Sequence, residues 1–514
     1  MNIQETLELV RKAQSLPNDA IAKAAGWLQS GTATSGLTFY DLEAPAKSLY
    51  PVLTPLRNSI PRVSGGAGIQ ANWRVISGIN TTGVRLGVSE GNRGAATTHT
   101  MADKLAAFRG FGLEDFVNFE ADYAAKGFDD AKARAVEALL RSTMIAEEGV
   151  ILGGNTSLDL GTTGVCPTPT VVLNTDSVSA VTNGTLLVKA VALGWHAYWA
   201  LAGLNNGTVG SSLGLVLDPN DYAVFTKANT DGSSDTYNGN MSAISSASSG
   251  VTIDGTHKSA LASVAAVPGV FGYAWYTNAN AAGYFLAAIT TLNSYNVIAD
   301  ASTTIVPGAN LSTRHDKCSL EFDGLLTQAL APASGAYVAT LATGTGGTGT
   351  KLTSNGAGGI TQIDAMCQDR WNLYRLSIDE LWVNGQQLLD LNTLIIKNGG
   401  APLIRFNLDG SSPSTSIDAG TVIGSLLNVI TNTKMAIKVH PNMPPGVILG
   451  RCTELPYKLS GVAEVCRMLL RQDYYQVEWP RRSRKYEYGV YFDGVLQNYF
   501  PPSLAVITNI APGV

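Results

Sequence analysis

Gly65-Gly66-Ala67-Gly68, then Ala71-Asn72-Trp73-Arg74-Val75-Ile76, then Val84-Arg85-Leu86-Gly87-Val88, and from Phe128-Asp129-Asp130 one helical pattern to about Leu152: this order between Arg57 and Asn155 decides the fold. The first part is an arm rich in Gly and Thr, with Gly78, Gly83, Gly91 and Gly94 between short alternating runs. Alternation broken by glycine reads as twisted extended strands that lack a compact core of their own. The helix that follows is roughly 37 Å long at ~1.5 Å per residue. An arm that cannot bury itself needs another surface, and a neighbouring copy of the same chain is the usual one.

The bulk composition agrees with a large, nearly neutral body. The 514 residues suggest roughly two to four domains, each able to bury a core. Only 15% are charged while glycine reaches 54, against an ordinary charged share of ~25%. Small neutral groups therefore dominate the surface, as expected if much of it faces other subunits. The net charge of −5 argues against a general basic field for nucleic acid. No run approaches the ~18 apolar residues of a membrane span, and Met1-Asn2-Ile3-Gln4-Glu5 lacks the layout of a signal peptide. The expectation is a protein made in the cytosol, with no membrane role.

Cys166, Cys318, Cys367, Cys452 and Cys466 are widely spaced without a Cys-x-x-Cys pair, which predicts buried free thiols and neither a disulfide framework nor structural zinc. His99, His196, His257, His315 and His440 read as isolated from one another and from carboxylate clusters. No metal or cofactor is expected.

Ile3–Leu16 reads as a short amphipathic helix ended by Pro17, and residues 18–62 as an arm holding Pro45, Pro51, Pro55 and Pro61. In the long helix Phe128, Val136, Leu139, Leu140, Met144 and Ile151 form an apolar stripe. Lys132, Arg134, Glu137, Arg141 and Glu148 take the polar side. From about Pro167 to Asn310 charges thin out to under ~10%, and short β-like runs alternate with Asn/Gly/Ser turns: Leu186–Val191, Leu213–Leu217, Tyr222–Phe225, Phe271–Tyr276 and Tyr284–Ile289. This pattern predicts an inserted β-sandwich or barrel. Beyond it, Ile360–Trp371 reads as a helix, and Ile378–Trp382, Leu394–Ile396 and Leu403–Phe406 as strands. The strand Met435–Val439, a helix over Gly461–Leu470, and strands Tyr474–Trp479, Lys485–Phe492 and Leu504–Ile507 complete the pattern.

Motif look-alikes dissolve on inspection. Gly210-Ser211-Ser212-Leu213-Gly214, with Asp218 and His257 after it, matches a nucleophile elbow in letters. The elbow needs a helix after the serine, whereas Leu215-Val216-Leu217-Asp218-Pro219 reads as strand and turn. Gly344-Thr345-Gly346-Gly347-Thr348-Gly349-Thr350-Lys351 has Thr350 where a phosphate loop needs glycine before the lysine. Glu147 and Glu148 point about 100° apart on a helix, which prevents shared proton transfer and leaves solvated charge as the reading. Arg481-Arg482-Ser483-Arg484-Lys485 is the one strong basic cluster. It reads as a solvated face, or as a contact with an acidic neighbour or enclosed nucleic acid.

The order of parts resembles the major capsid proteins of tailed bacteriophages, with the Hong Kong 97 phage-type α+β capsid fold. The residues carrying the resemblance are Thr54-Pro55-Leu56-Arg57 and Ile60-Pro61-Arg62, the helix Phe128–Leu152 running into Gly153-Gly154-Asn155, the run Pro444-Pro445-Gly446-Val447-Ile448-Leu449-Gly450, and Pro501-Pro502-Ser503-Leu504-Ala505-Val506. It covers nearly all of 40–510 except the insertion. It implies an N-terminal helix and arm (1–62), an extended loop (63–110), a peripheral domain (111–166 and 436–514) with a spine helix at 128–152, an inserted β-rich domain (167–310) and an axial domain (311–435). It also implies hexamers and pentamers of an icosahedral shell enclosing double-stranded DNA without sequence-specific binding, and portal, scaffolding and decoration proteins as partners. Arg57, Arg62, Trp73, Arg85, Arg481, Arg482, Arg484 and Lys485 are the candidate intersubunit or DNA-facing contacts. Some family members crosslink a loop lysine to a neighbour's asparagine. The only lysine near this hairpin, Lys104, lies close to its base, so non-covalent shells are expected. With about 60 residues before the hairpin, the chain is expected to mature uncleaved. The insertion is expected to project outward and contact neighbours, decoration proteins or glycans, or equally to be a folding aid packed on its own subunit, and its excision is expected to leave shells of lower stability. The rival readings are a β-rich adhesin and, more remotely, a serine hydrolase built on Ser212.

Overall fold

The computed structural model describes residues 53–79, 87–94, 96, 98–126, 130–203, 222–278, 283–302, 306–399, 404–407, 416–419, 423–457, 461–481 and 483–513. The expected helix Ile3–Leu16, the first residues of the spine helix pattern (Phe128, Asp129), the elbow around Ser212, the Leu213–Leu217 run, Arg85 and Arg482 lie outside them.

Val117–Arg134 belongs to a small unit and Val52–Phe116 with Ala135–Val514 to a large one. In the small unit Phe119–Ala125 is a helix whose Phe119 and Tyr123 rings stack, one turn apart, at 6.1 Å. Asp130 accepts the backbone N–H groups of Lys132 and Ala133 at 3.1 Å each. It thereby satisfies donors that the first turn of a helix leaves free.

The large unit is built on sheets. A four-stranded sheet joins Arg62–Ser64, Cys466–Glu478, Lys485–Asn498 and Arg109–Asn118, in that order. A six-stranded sheet runs in the order Tyr337–Thr340, Leu504–Thr508, Ile448–Arg451, Glu380–Val383, Thr433–Val439 and Ser425–Asn428. Alternation along these strands sends side chains to two cores. Leu381, Val383, Ile448, Ala505 and Ile507 face the helices Thr361–Tyr374 and Gly385–Gly399. Trp382, Leu449, Leu504 and Val506 enter the central core shared with the spine helix.

The spine helix Ala131–Gly153 has Leu139, Thr143 and Glu147 buried on one face and is buried all round from Glu147 to its end. Trp195 is packed across that end. A Cβ on Gly153 would sit 2.2 Å from Trp195 Cγ, so only glycine admits the indole there.

Two three-stranded sheets occupy 170–297, in the orders Ser294–Val297, Ser259–Ser263, Thr170–Asn174 and Phe285–Thr290, Gly272–Thr277, Val188–Leu193. Between them lie Val188, Ala190, Ala192, Ala260, Ala262, Tyr273, Trp275 and Val297. The second sheet is covered on its other face too: Val191, Leu193, Ala274, Tyr276, Leu286 and Ile289 belong to the central core. The insertion therefore shares its packing with the body.

Two expected elements are corrected. Leu394–Ile396 lies inside the helix Gly385–Gly399, because Leu388, Leu391, Leu394 and Ile395 fall at helical spacing and pack together. The helix expected over Gly461–Leu470 gives way to the strand Cys466–Glu478, in which Cys466, Met468 and Leu470 are buried and alternate with less buried neighbours. The expected domain boundary at 435/436 falls inside the strand Thr433–Val439.

Candidate assembly surface

Gln70–Ile79 and His99–Ala107 pair antiparallel from Gln70↔Ala107 to Ile79↔His99, with a bulge between Ile76 and Gly78. Directly paired residues share a face. One face carries Asn72↔Leu105, Arg74↔Asp103 and Ile76↔Met101, all exposed, with Leu105 at 68% and Ile76 and Met101 at 59% each. Arg74 donates to Asp103 at 2.5 and 3.0 Å, and that hydrogen bond holds the Asp103 carboxyl below its ordinary range. Two strands alone are marginal in water, so this ribbon stands on its root. There Ala71 is buried and Trp73 lies edge-on to Tyr499 with ring centroids 6.3 Å apart. Gly66 N–H donates to Leu470 O at 2.9 Å, and Arg471 donates to Gly68 O at 2.7 Å.

Beneath the root, the arm, the spine helix and the four-stranded sheet meet in a buried polar knot. Glu148 accepts from the backbone N–H of Leu56 (2.9 Å), the backbone N–H of Arg57 (2.6 Å) and His440 Nε2 (2.5 Å). It thus caps the short helix Pro55–Ser59, whose own Thr54 side chain makes no cap. Asn442 N–H donates to His440 Nδ1 at 3.0 Å, so the ring proton sits on Nε2 and points at Glu148. At the other end of the short helix, Arg451 Nη1 reaches Ser59 Oγ at 3.0 Å.

Glu147 takes Arg57 Nε at 2.7 Å, Arg62 Nη1 and the Tyr474 hydroxyl. Arg62 also bridges to Asp473 at 2.7 Å and lies 4.9 Å from the centroid of the Tyr474 ring. Burial lowers the Arg57 pKa, but Tyr474 and Glu147 more than offset this and it ends above its ordinary value. Arg62 also ends raised: burial opposes the charge, and the bonds to Asp473 and Glu147 outweigh it. Burial, then the Glu147 charge, raises the Tyr474 hydroxyl.

The two glutamates are therefore not solvated: they are 1% and 0% exposed. His440, expected to stand apart from carboxylates, is bonded to one, and His196 lies 3.1 Å from Glu321. Arg57 and Arg62, expected to reach a neighbour or DNA, hold the subunit together internally. A local signal was present: Glu147-Glu148 directly precedes Gly149-Val150-Ile151-Leu152, an apolar end where charge survives only if paired.

Among the remaining candidates, Trp73 packs at the ribbon root. Arg481 and Arg484 are exposed in the connection between the two longest strands of the four-stranded sheet. Arg481 lies 4.5 Å from the Tyr486 ring centroid, and Lys485 Nζ is 3.9 Å from that of Phe116. Among the described residues no cluster of His, Cys, Asp and Glu fits a metal ion, and no helix is long and apolar enough to cross a membrane.

The chain is similar to solved capsid subunits. It aligns with the capsid of the Myoviridae phage XM1 over 91% of its own length and 95% of that chain, at 8% identity and a TM-score of 0.37. With the capsid of the native GTA particle the shares are 94% and 100%, at 8% identity and a TM-score of 0.41. With the major capsid and decoration proteins of phage G they are 91% and 94%, at 6% identity and a TM-score of 0.35. No family model matches the sequence, and no curated protein matches it.

Proposed function

We propose that this chain is the major capsid subunit of a tailed phage, built on the Hong Kong 97 phage-type fold and assembling as hexamers and pentamers of an icosahedral shell around double-stranded DNA. The observation that carries the reading is the exposed ribbon. Ile76, Met101 and Leu105 stand in water on a two-stranded hairpin whose root alone is packed. A neighbour's surface supplies the cover such a face lacks. The knot at Glu147 and Glu148 gives the ribbon a rigid base, joining the arm to the spine helix and the long strands. Contacts of ~1,600 Å² and upward, repeated around each subunit, add to large avidity even when each is weak.

In this reading the protein is structural and not an enzyme. It sits in the virion shell after assembly in the host cytoplasm, and portal, scaffolding and decoration proteins are its partners. A net charge of −5 suits an inner wall that does not hold packaged DNA by counterion release, with Arg481, Arg484 and Lys485 as local contacts. Negative-stain electron microscopy and sedimentation of the purified chain test this. Rings or closed shells are expected; a compact monomer at high concentration, with the hairpin protected from protease, refutes it.

A further inference from the structure

We propose that the insertion controls how firmly the arm around Pro55–Ser59 is held, through a buried chain of hydrogen bonds that sets the tautomer of His440. The chain lies within one subunit and stands or falls independently of the assembly reading. It starts where the helix Trp195–Tyr198 runs into the π-helical turn Trp199–Gly203, a rare conformation that marks functional positions. Trp195 and Trp199 lie four residues apart, on one helix face. Both indole N–H groups donate to Asn442 O, at 2.9 and 2.8 Å. Asn442 N–H donates to His440 Nδ1 at 3.0 Å, and His440 Nε2 donates to Glu148 at 2.5 Å. Glu148 ends the chain on the amides of Leu56 and Arg57.

Two links in this chain have a second state. The arm's helix has five residues and no cap from Thr54, far too short to persist alone, so it is helical only while Glu148 holds its first amides. His440 is the other. A neutral imidazole donates from one nitrogen and accepts at the other, and the bond at one of them selects the tautomer. Asn442 N–H on Nδ1 keeps the proton on Nε2, where Glu148 receives it. When the Asn442 peptide turns away, the tautomer with the proton on Nδ1 becomes accessible and sets the Nε2 lone pair against the carboxylate. His440 and Glu148 are each 0% exposed, so water does not replace the lost donor, and Glu148 loosens its hold on the arm.

The indoles are what position that peptide. His440 N–H donates to Val383 O at 2.9 Å, and Asn384 Nδ2 donates to Met443 O at 2.7 Å. These bonds fix the two ends of the loop that follows the strand Thr433–Val439. Between them the Asn442 carbonyl rests on the two indoles. Trp195 is locked against Gly149 and Gly153 of the spine helix. Trp199 is only half-buried, which makes it the link that a load on the insertion disturbs first. Drawing Trp199 away loosens the arm, which continues through the strand Arg62–Ser64 toward the ribbon.

The test is hydrogen–deuterium exchange of the full chain, read on the peptide that carries the Leu56 and Arg57 amides. Trp199→Phe keeps an aromatic ring and removes one N–H, and should speed exchange there about fivefold, the weight of one hydrogen bond. Trp275→Phe removes an indole N–H that donates to Thr290 Oγ1 at 2.8 Å inside the insertion, off the chain, and should leave the arm within about twofold of wild type. His440→Gln keeps a donor for Glu148 and loses the acceptor for Asn442. In that background Trp199→Phe should add less than about twofold, because coupled residues are not additive. Unchanged arm exchange in Trp199→Phe overturns the proposal. Equal acceleration by Trp275→Phe overturns it too, since that is general loosening, as does a full fivefold effect of Trp199→Phe on top of His440→Gln. If His440→Gln does not fold, the comparison of Trp199→Phe with Trp275→Phe decides alone.

Discussion

Replacing Glu148 by alanine separates the buried knot from a solvated carboxylate most sharply. On the helix surface the change would be nearly neutral, since alanine is the best helix former. Here it removes the acceptor of the Leu56 and Arg57 amides and of His440 Nε2 together. Each buried donor left unpaired costs ~1–3 kcal/mol, and breaking a buried pair by removing one partner costs ~3–5 kcal/mol. Shared effects within one network do not add fully, so about 4 kcal/mol is expected. At ~2.1 cal/mol/K of unfolding entropy per residue, a cooperative chain of 514 residues loses about 1 °C per kcal/mol. The melting temperature should therefore fall by about 4 °C. The local signal is larger: if the opening free energy of the Pro55–Ser59 helix drops by the same ~4 kcal/mol, its amides exchange several hundred-fold faster. Calorimetry and amide exchange at Leu56 and Arg57 read both. Glu148→Gln, which keeps the shape, should lose less. A melting shift under about 1 °C with unchanged exchange at those amides would falsify the knot.

Other outcomes follow from the same packing. Deleting 167–310 and joining the ends should abolish soluble protein, because Val191, Leu193, Ala274, Tyr276, Leu286 and Ile289 are part of the central core; soluble shells from the deleted chain would refute this. The five thiols are buried, and burial pushes Cys166, Cys367 and Cys452 up to about 12 and Cys318 and Cys466 up to about 11. They should stay silent to a thiol reagent at pH 8 until the protein is denatured. These raised thiols, and tyrosines such as Tyr198 at about 12, keep their protons longer folded than unfolded. Stability should be full below pH 9 and fall as pH rises toward 12, measured by denaturant midpoints; a flat alkaline profile counts against the burial. Shells boiled in detergent should run as a single subunit band, and ladders of multimers would mean covalent stitching.

Local pattern determined the parts whose signal lies within one turn or one pleat. The glycine-interrupted ribbon, the spine helix, the helix Thr361–Tyr374 and the strands Thr433–Val439, Lys485–Asn498 and Leu504–Thr508 each carry their period in consecutive residues. Where two periods competed, the choice fell to tertiary packing. Leu394-Ile395-Ile396 has β-branched residues, yet Leu394 and Ile395 complete a helical stripe with Leu388 and Leu391 against the six-stranded sheet. Cys466–Leu470 alternates as a strand only once Lys485–Asn498 lies beside it. The knot was the least legible, because its partners are far apart in sequence: Glu148 meets Leu56 across 92 positions and His440 across 292. Whether a carboxylate is solvated or buried depends on what the fold brings against it. The sequence by itself set which segments extend and which coil where one period stood alone; the tertiary structure decided the contested segments and which charges are buried, because packing, desolvation and pairing are properties of neighbours and not of composition.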